Sequence, residues 1–449
     1  MILLASLVLI FVYVLLTYFD KRKAFLLLPL FFITALLKFQ IGPLNFSVLE
    51  VFIWIIFIAH IFQLKTVILP FTKFIRKPAS LVFLFFLVAT VSLLVVPKQL
   101  IFQTGILTAP TEVFETMKVA LGIWKGWIVP MVLFSLVYEL YTMPRIGKVM
   151  METYFLGAFF VAAISLLLRF TLGYEQTIDG RLGVLFVSAN YLVFYLAPAF
   201  LFGLIHTFEV WKEMSEGFWS RMVKWWNPKQ QLLRRKDLLL HSTMLLVILV
   251  ALFLAESYAS WLSILLCLAI GIMISGKRYL VQRRAKIAIA VGVVLLVSGF
   301  FLSQSHTLKW QKFFETQQQS STSTRLEVYQ VAMAILQEHW VTGIGMGQFE
   351  SVYKLEAPRI LGTAPYEWVM LHPHNLYISL WLSMGVFGFL IFLWMLSDAL
   401  RNTWKPQSMY VLLPLLYIML HGVVDTPFWK MDAMMIFLLI FLVASRKDT

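Results

Sequence analysis

Charge and cysteine are what this sequence has least of. Charged residues fill only 13% of its 449 positions, while 60% are hydrophobic and the mean hydropathy is +0.83. A soluble domain carries about twice that share of charge, roughly 25%, so a water-soluble enzyme is excluded. The single cysteine, Cys267, lies in an apolar run, which rules out an intramolecular disulfide and any cysteine-built zinc or iron–sulfur site. No carboxylate cluster resembles the paired acids of metal-dependent nucleotide-sugar enzymes, so neither a cofactor nor a metal is expected. No internal repeat is visible, and an inverted-repeat transporter therefore lacks direct support.

What is present is a series of apolar runs, at 2–19, 24–39, 46–64, 80–96, 117–141, 149–168, 184–208, 237–255, 261–275, 287–302, 376–396, 410–424 and 431–444. Each is long enough, or nearly so, to cross a hydrocarbon core of about 30 Å. The expectation is an all-α polytopic membrane protein of about 12–13 transmembrane helices, a single integral membrane domain over 1–449. The net charge of +14 would suggest nucleic acid until the basic residues are placed on that topology. Lys21, Arg22 and Lys23 follow the first run and nothing basic precedes it, the reverse of a cleavable secretory signal, so its N-terminus is expected outside. In that phase 25 of the 37 Lys and Arg residues fall on the cytoplasmic side, and the charge becomes an orientation signal. Trp225 and Trp226, among basic residues, read either as a membrane-surface helix or as a solvated connector.

The same phase puts the one long polar stretch, residues 303–375, on the extracytoplasmic side. Within it Thr324-Arg325-Leu326-Glu327 has the form of a capping box, predicting a surface helix that starts at Thr324 and buries Leu326, Tyr329, Met333, Leu336 and Trp340. Arg325 at the first helical position would join the unpaired N–H groups of the helix start in holding a phosphate or diphosphate; otherwise it meets only water. Gly343-Ile344-Gly345-Met346-Gly347 has neither a preceding strand nor a P-loop lysine, and reads as a tight turn that lets backbone approach closely.

Three further groups could carry chemistry. His372-Pro373-His374-Asn375 ends the loop, where Asn375 can cap the next span and a histidine at the boundary suits a general base; a His372–His374 metal pair lacks a third ligand at helical spacing. Arg181 precedes the seventh run, and Asn190 lies about two turns into it, either bonding another helix or touching substrate. Lys125 shares a helix face with Lys118, a depth at which a charge either contacts an anion or snorkels. His421 and Asp425, four apart, either pair with each other or line the same site.

The ordered set Arg181, Asn190, Arg325-Leu326-Glu327, the Gly343–Gly347 alternation and His374-Asn375 resembles the bacterial O-antigen ligase and O-antigen polymerase superfamily, over roughly residues 180–430. The resemblance implies a glycosyltransferase of the bacterial cytoplasmic membrane with its active site on the extracytoplasmic face. Its donor would be a glycan on undecaprenyl diphosphate and its acceptor a lipid, glycan or protein hydroxyl, with membrane lipids around it and no nucleic acid. His374 would deprotonate the acceptor, and Arg181 and Arg325 would bind the diphosphate. Lys125, Asn190 and Asp425 complete the expected substrate-binding set. Two departures stand out: Glu256-Ser257-Tyr258 where an arginine beside the serine is common, and Tyr329 where tryptophan is common. The alternatives are a repeat-unit polymerase rather than a ligase, and a transporter or flippase of lipid-linked sugars. A flippase would want functional groups on both faces, whereas here the candidates cluster on one.

Overall fold

The computed structural model describes residues 2–41, 44–68, 71–95, 117–143, 145–173, 181–186, 188–221, 228–275, 299, 321–426 and 430–446. Helices dominate, as the apolar runs require: a backbone in hydrocarbon must satisfy its hydrogen bonds within its own segment. In chain order they are α1 (Ile2–Phe19), α2 (Lys21–Leu27), α3 (Val48–His60), α4 (Pro78–Ser92), α5 (Met117–Leu140), α6 (Ile146–Leu172), α7 (Ala189–Arg221), α8 (Pro228–Leu254), α9 (Tyr258–Ser275), α10 (Ser321–Glu338), α11 (Phe349–Leu361), α12 (Leu376–Thr403), α13 (Met409–His421) and α14 (Met431–Ala444). Among the described residues five helices, within α5, α6, α7, α8 and α12, are long and apolar enough to cross a membrane, and shorter apolar helices accompany them. The expected span at 287–302, apart from residue 299, and the stretch around Trp225 and Trp226 lie outside the described residues.

The second expected span takes an unexpected form. Only α2 is α-helical; Leu28–Leu36 winds as a 3-10 helix with Pro29 in its first turn, and Lys38–Ile41 leaves it as β1. Tighter winding stretches the segment, so α2 plus the 3-10 part reach about 28 Å at 1.5 and 2.0 Å per residue. Too few residues thus cover nearly the expected distance. β1 pairs antiparallel with β2 (Leu44–Ser47), and Ser47 then caps α3 by accepting the Glu50 N–H.

α5 contains a π turn over Trp124–Ile128, directly before Pro130, whose ring nitrogen has no hydrogen to give the preceding turn. The widened turn carries Trp124 to the Thr90 hydroxyl of α4 at 2.8 Å and Lys125 toward β2. α14 is buried on every side and forms the centre of the bundle, packing against α5, α6, α7, α12 and α13.

The 321–375 segment holds two helices, α10 and α11, rather than the single one expected. They pack on each other and on α12 through a separate core that includes Val328, Val331, Ile335, Tyr353 and Leu382. The buried face of α10 is accordingly not the predicted one: of those five residues only Leu336 is deeply buried, and Leu326, Met333 and Trp340 form an exposed apolar stripe. Helical periodicity fixed a stripe's spacing without telling which of two apolar stripes meets α11. The segment is locked to α12 where that helix breaks at Gly385 (φ 67°, ψ −173°). There the Ile344 N–H donates to the Leu382 carbonyl at 2.7 Å, and the Val386 N–H donates to the Val341 carbonyl at 3.1 Å. A Cβ on Gly385 would stand 2.1 Å from the Val341 oxygen, and one on Gly343 2.3 Å from the Leu382 oxygen. The glycine alternation is therefore a close-approach turn, seated on a broken helix.

Candidate active site

The end of the bundle that carries α10 and α11 also gathers the polar side chains. Asn375 begins α12 as its cap, its side-chain oxygen accepting the Tyr377 and Ile378 N–H groups at 3.0 Å each, while its amide donates to the Val423 carbonyl at 2.8 Å. This fixes the chain so that His374 adopts a left-handed backbone (φ 50°). Such strained conformations persist only when their surroundings over-determine them. Tyr329 of α10 supplies one restraint, its hydroxyl donating to the His374 carbonyl at 2.9 Å. The residue that departs from the resembled pattern thus holds the backbone of the histidine.

His374 Nδ1 faces Asp425 Oδ1 at 3.3 Å. A carboxylate only accepts, so Nδ1 carries the hydrogen and Nε2 keeps its lone pair when the ring is neutral. Asp425 is held in turn by Asn190, whose amide donates to Oδ2 at 3.0 Å, and by the Thr426 N–H, which donates to Oδ1 at 2.8 Å. Burial by itself would raise the Asp425 pKa. The hydrogen bond from His374 and the electrostatic influence of His374 and Arg325 outweigh it and hold the carboxyl well below its ordinary range. The side chain of His374 remains 27% exposed against 6% for Asp425, so the imidazole is reachable from outside and the carboxylate that orients it is not.

Behind this pair His372 is buried. Its Nδ1 accepts the His374 backbone N–H at 3.4 Å, and its Nε2 lies 3.1 Å from the Tyr191 hydroxyl. Burial pulls its pKa down to about 4, with the charges of Lys430 and Arg325 adding to the shift and Asp425 opposing it. His372 is therefore neutral at ordinary pH. His421 does not pair with Asp425 as a side chain: its Nδ1 meets the Tyr417 hydroxyl at 2.6 Å, and its ring stacks on Phe194.

Of the expected site residues, His374, Asp425 and Asn190 are joined by direct hydrogen bonds. Asn190 stands in the first turn of α7, not two turns in, because the helix begins only at Ala189, after a turn at Val184 and Leu185. Arg325 comes close enough for its charge to act on His372, His421 and Asp425. It sits in the second turn of α10, since the helix starts at Ser321 and Glu327 accepts the Tyr366 N–H instead of closing a capping box. The dipole of the helix start therefore adds little to it. Arg181 stands on the turn leading into α7, at the same end of that helix as Asn190. Lys125 is spent elsewhere: Nζ donates to Glu50 Oε1 and the Asn45 carbonyl at 2.8 Å each and lies 3.6 Å over the Phe46 ring.

The expected lack of a third metal ligand is corrected by the fold, because Asp425 joins His372 and His374 with ligand atoms all within 4.8 Å. The trio could hold a cation only by giving up the hydrogen bonds just described. Sequence reasoning took up Tyr329 only as part of a buried helix face and as a departure from the resembled pattern, and Tyr191 and Lys430 not at all. The last had a signal, an ionisable residue directly before an apolar run.

Fold and site together define a polytopic helical membrane protein with a histidine–carboxylate pair at one end of its bundle. Residues 243–393 match the family model described as O-antigen ligase, and over that stretch the chain is similar to the O-antigen ligase and polymerase superfamily. The matched stretch contains Arg325 and His374 and leaves out Arg181, Asn190 and Asp425. No curated protein matches the chain.

Proposed function

We propose that the protein is a membrane glycosyltransferase of the O-antigen ligase and polymerase type. It moves a glycan from undecaprenyl diphosphate to an acceptor hydroxyl on the extracytoplasmic face of a bacterial cytoplasmic membrane. The His374–Asp425 pair carries this reading. Nε2 of His374 takes the proton of the acceptor hydroxyl as its oxygen bonds to the anomeric carbon. The bond from that carbon to the diphosphate breaks, and its electron pair leaves on a phosphate oxygen. One displacement inverts the anomeric centre. Asp425 orients the ring and stabilises the imidazolium that forms, as the buried acid does in hydrolase triads. Arg325, with Arg181, opposes the charge growing on the diphosphate, so no step calls for a metal.

The test uses purified protein with an undecaprenyl-diphosphate-linked glycan and an acceptor. His374→Ala should abolish transfer while donor binding persists, and Arg325→Ala should weaken donor binding. Transfer by His374→Ala at a near wild-type rate sinks the proposal. Loss of wild-type activity on chelation, with rescue by a divalent cation, would replace the general base by a metal at the His372, His374 and Asp425 trio.

A further inference from the structure

We propose that Lys430, seated on the ring of Tyr191, is a further cationic contact for the diphosphate of the lipid-linked donor. The inference rests on the function proposed above and adds a residue to its substrate site.

Lys430 lies at the start of α14, five residues beyond Asp425, and its Nζ stands 3.5 Å from the centroid of the Tyr191 ring. Tyr191 is not a remote neighbour. Its hydroxyl meets His372 Nε2 at 3.1 Å, and His372 Nδ1 accepts the backbone N–H of His374 at 3.4 Å. The ammonium is therefore two side chains away from the proposed base, and its charge, like that of Arg325, acts on His372.

Lys125 and Lys430 are in opposite conditions. Lys125 is neutralised by direct contact with Glu50 at 2.8 Å. Lys430 makes no direct ion pair among the described residues; Asp432, the carboxylate whose charge acts on it, is buried within the first turn of α14. Burial lowers the Lys430 pKa, with Asp432 opposing and Lys38 adding to the shift. Holding a partly desolvated ammonium over an aromatic face gives back part of the lost hydration and leaves its N–H groups free to turn to an anion. The diphosphate gains negative charge as its bond to the glycan breaks, and the ammonium would oppose that charge beside Arg325 and Arg181. The lipid must also reach the site from the membrane boundary, where α14 begins.

The hydroxyl of Tyr191 fits the same ligand. His372 Nδ1 accepts, so the ring hydrogen is on Nε2 and points at the Tyr191 oxygen. The hydroxyl hydrogen of Tyr191 is then directed away from His372, as a donor that a phosphate oxygen can use.

The experiment measures binding of undecaprenyl diphosphate, with no sugar attached, to full-length protein in nanodiscs. It is paired with donor and acceptor KM values and with thermal unfolding. Lys430→Gln should weaken that binding by about tenfold or more, the range of one charge-assisted contact, and Lys430→Arg should restore most of it. Tyr191→Leu keeps the charge but removes its seat, and should give a smaller loss; it carries the test should Lys430→Gln unfold. Wild-type affinity in Lys430→Gln overturns the proposal. So does an unchanged donor affinity with a raised acceptor KM, which would assign the lysine to a phosphate on the acceptor. His374→Ala, assayed in parallel, separates the two questions: transfer by that variant sinks the reaction, whereas normal lipid binding by Lys430→Gln sinks only the role of the lysine.

Discussion

At the scale of single residues, the chemistry depends on one ring being turned correctly. Asp425 accepts from His374 Nδ1 and is itself held by Asn190 and the Thr426 N–H, so the unprotonated Nε2 is the nitrogen that the proposed reaction would offer to an acceptor. Asp425→Asn keeps the shape and removes the charge. Transfer should fall by about two to four orders of magnitude while donor affinity changes little, as a kcat measurement against a lipid-linked donor would read. A rate within a few-fold of wild type would separate Asp425 from the mechanism. His372 sets a pH dependence of stability. Its folded pKa is about 4, below the ordinary value near 6.5, so between those values the unfolded chain holds the extra proton. Stability should be full above pH 6.5 and decline as the pH falls toward 4, by roughly 3 kcal/mol for this one group. Thermal unfolding in detergent across that range should show the decline, and His372→Gln should flatten it. Equal slopes in the two proteins would mean that His372 is not buried neutral.

At the scale of elements, the junction between the glycine alternation and the break in α12 ties the loop segment to the bundle. Gly385 has φ 67° and ψ −173°, a region essentially closed to residues with a Cβ, and its neighbour is backbone that cannot swing aside. Gly385→Ala should therefore destabilise by about 2 kcal/mol or more and lower the yield of monodisperse protein. A melting temperature unchanged from wild type would contradict the tight seat. Part of this was legible in the sequence. The alternation was readable as a turn for close approach, and Asn375 as a cap, because both are local properties of backbone and neighbouring side chain. The partner of the turn was not legible, since a glycine inside an apolar run gives no sign of whether the helix continues or breaks. The capping-box reading of Thr324–Glu327 failed for a related reason. Glu327 had a competing partner in Tyr366, 39 residues away in sequence.

For the whole molecule, the arrangement follows from hydropathy read through packing. α14 is surrounded by protein, while only 22% of the apolar window within Arg235–Leu254 of α8 is buried among the described residues, so the one helix is interior and the other peripheral to the described bundle. The charge bias predicts that the 321–375 segment faces outward and the turn after α12 inward. The sole native thiol, Cys267, is fully buried and does not interfere with a labelling test. A cysteine placed at Glu367 should react with a membrane-impermeant maleimide in intact cells, and one at Arg401 only after permeabilisation. The reverse pattern would move His374 to the cytoplasmic surface and end the proposed reaction.

Legible in the sequence alone were the helical membrane class, the places of most apolar helices, the orientation expected from charge, and Asn375 as a cap beside His374, because hydropathy, helix caps and motif order reside in contiguous residues. Only the tertiary structure decided which charges are spent. Asp425 meets His374 across 51 residues and Asn190 across 235, while Lys125 is taken up by Glu50 across 75. A buried charge is defined by its partner. Packing of distant helices chooses that partner, and no local pattern records the choice.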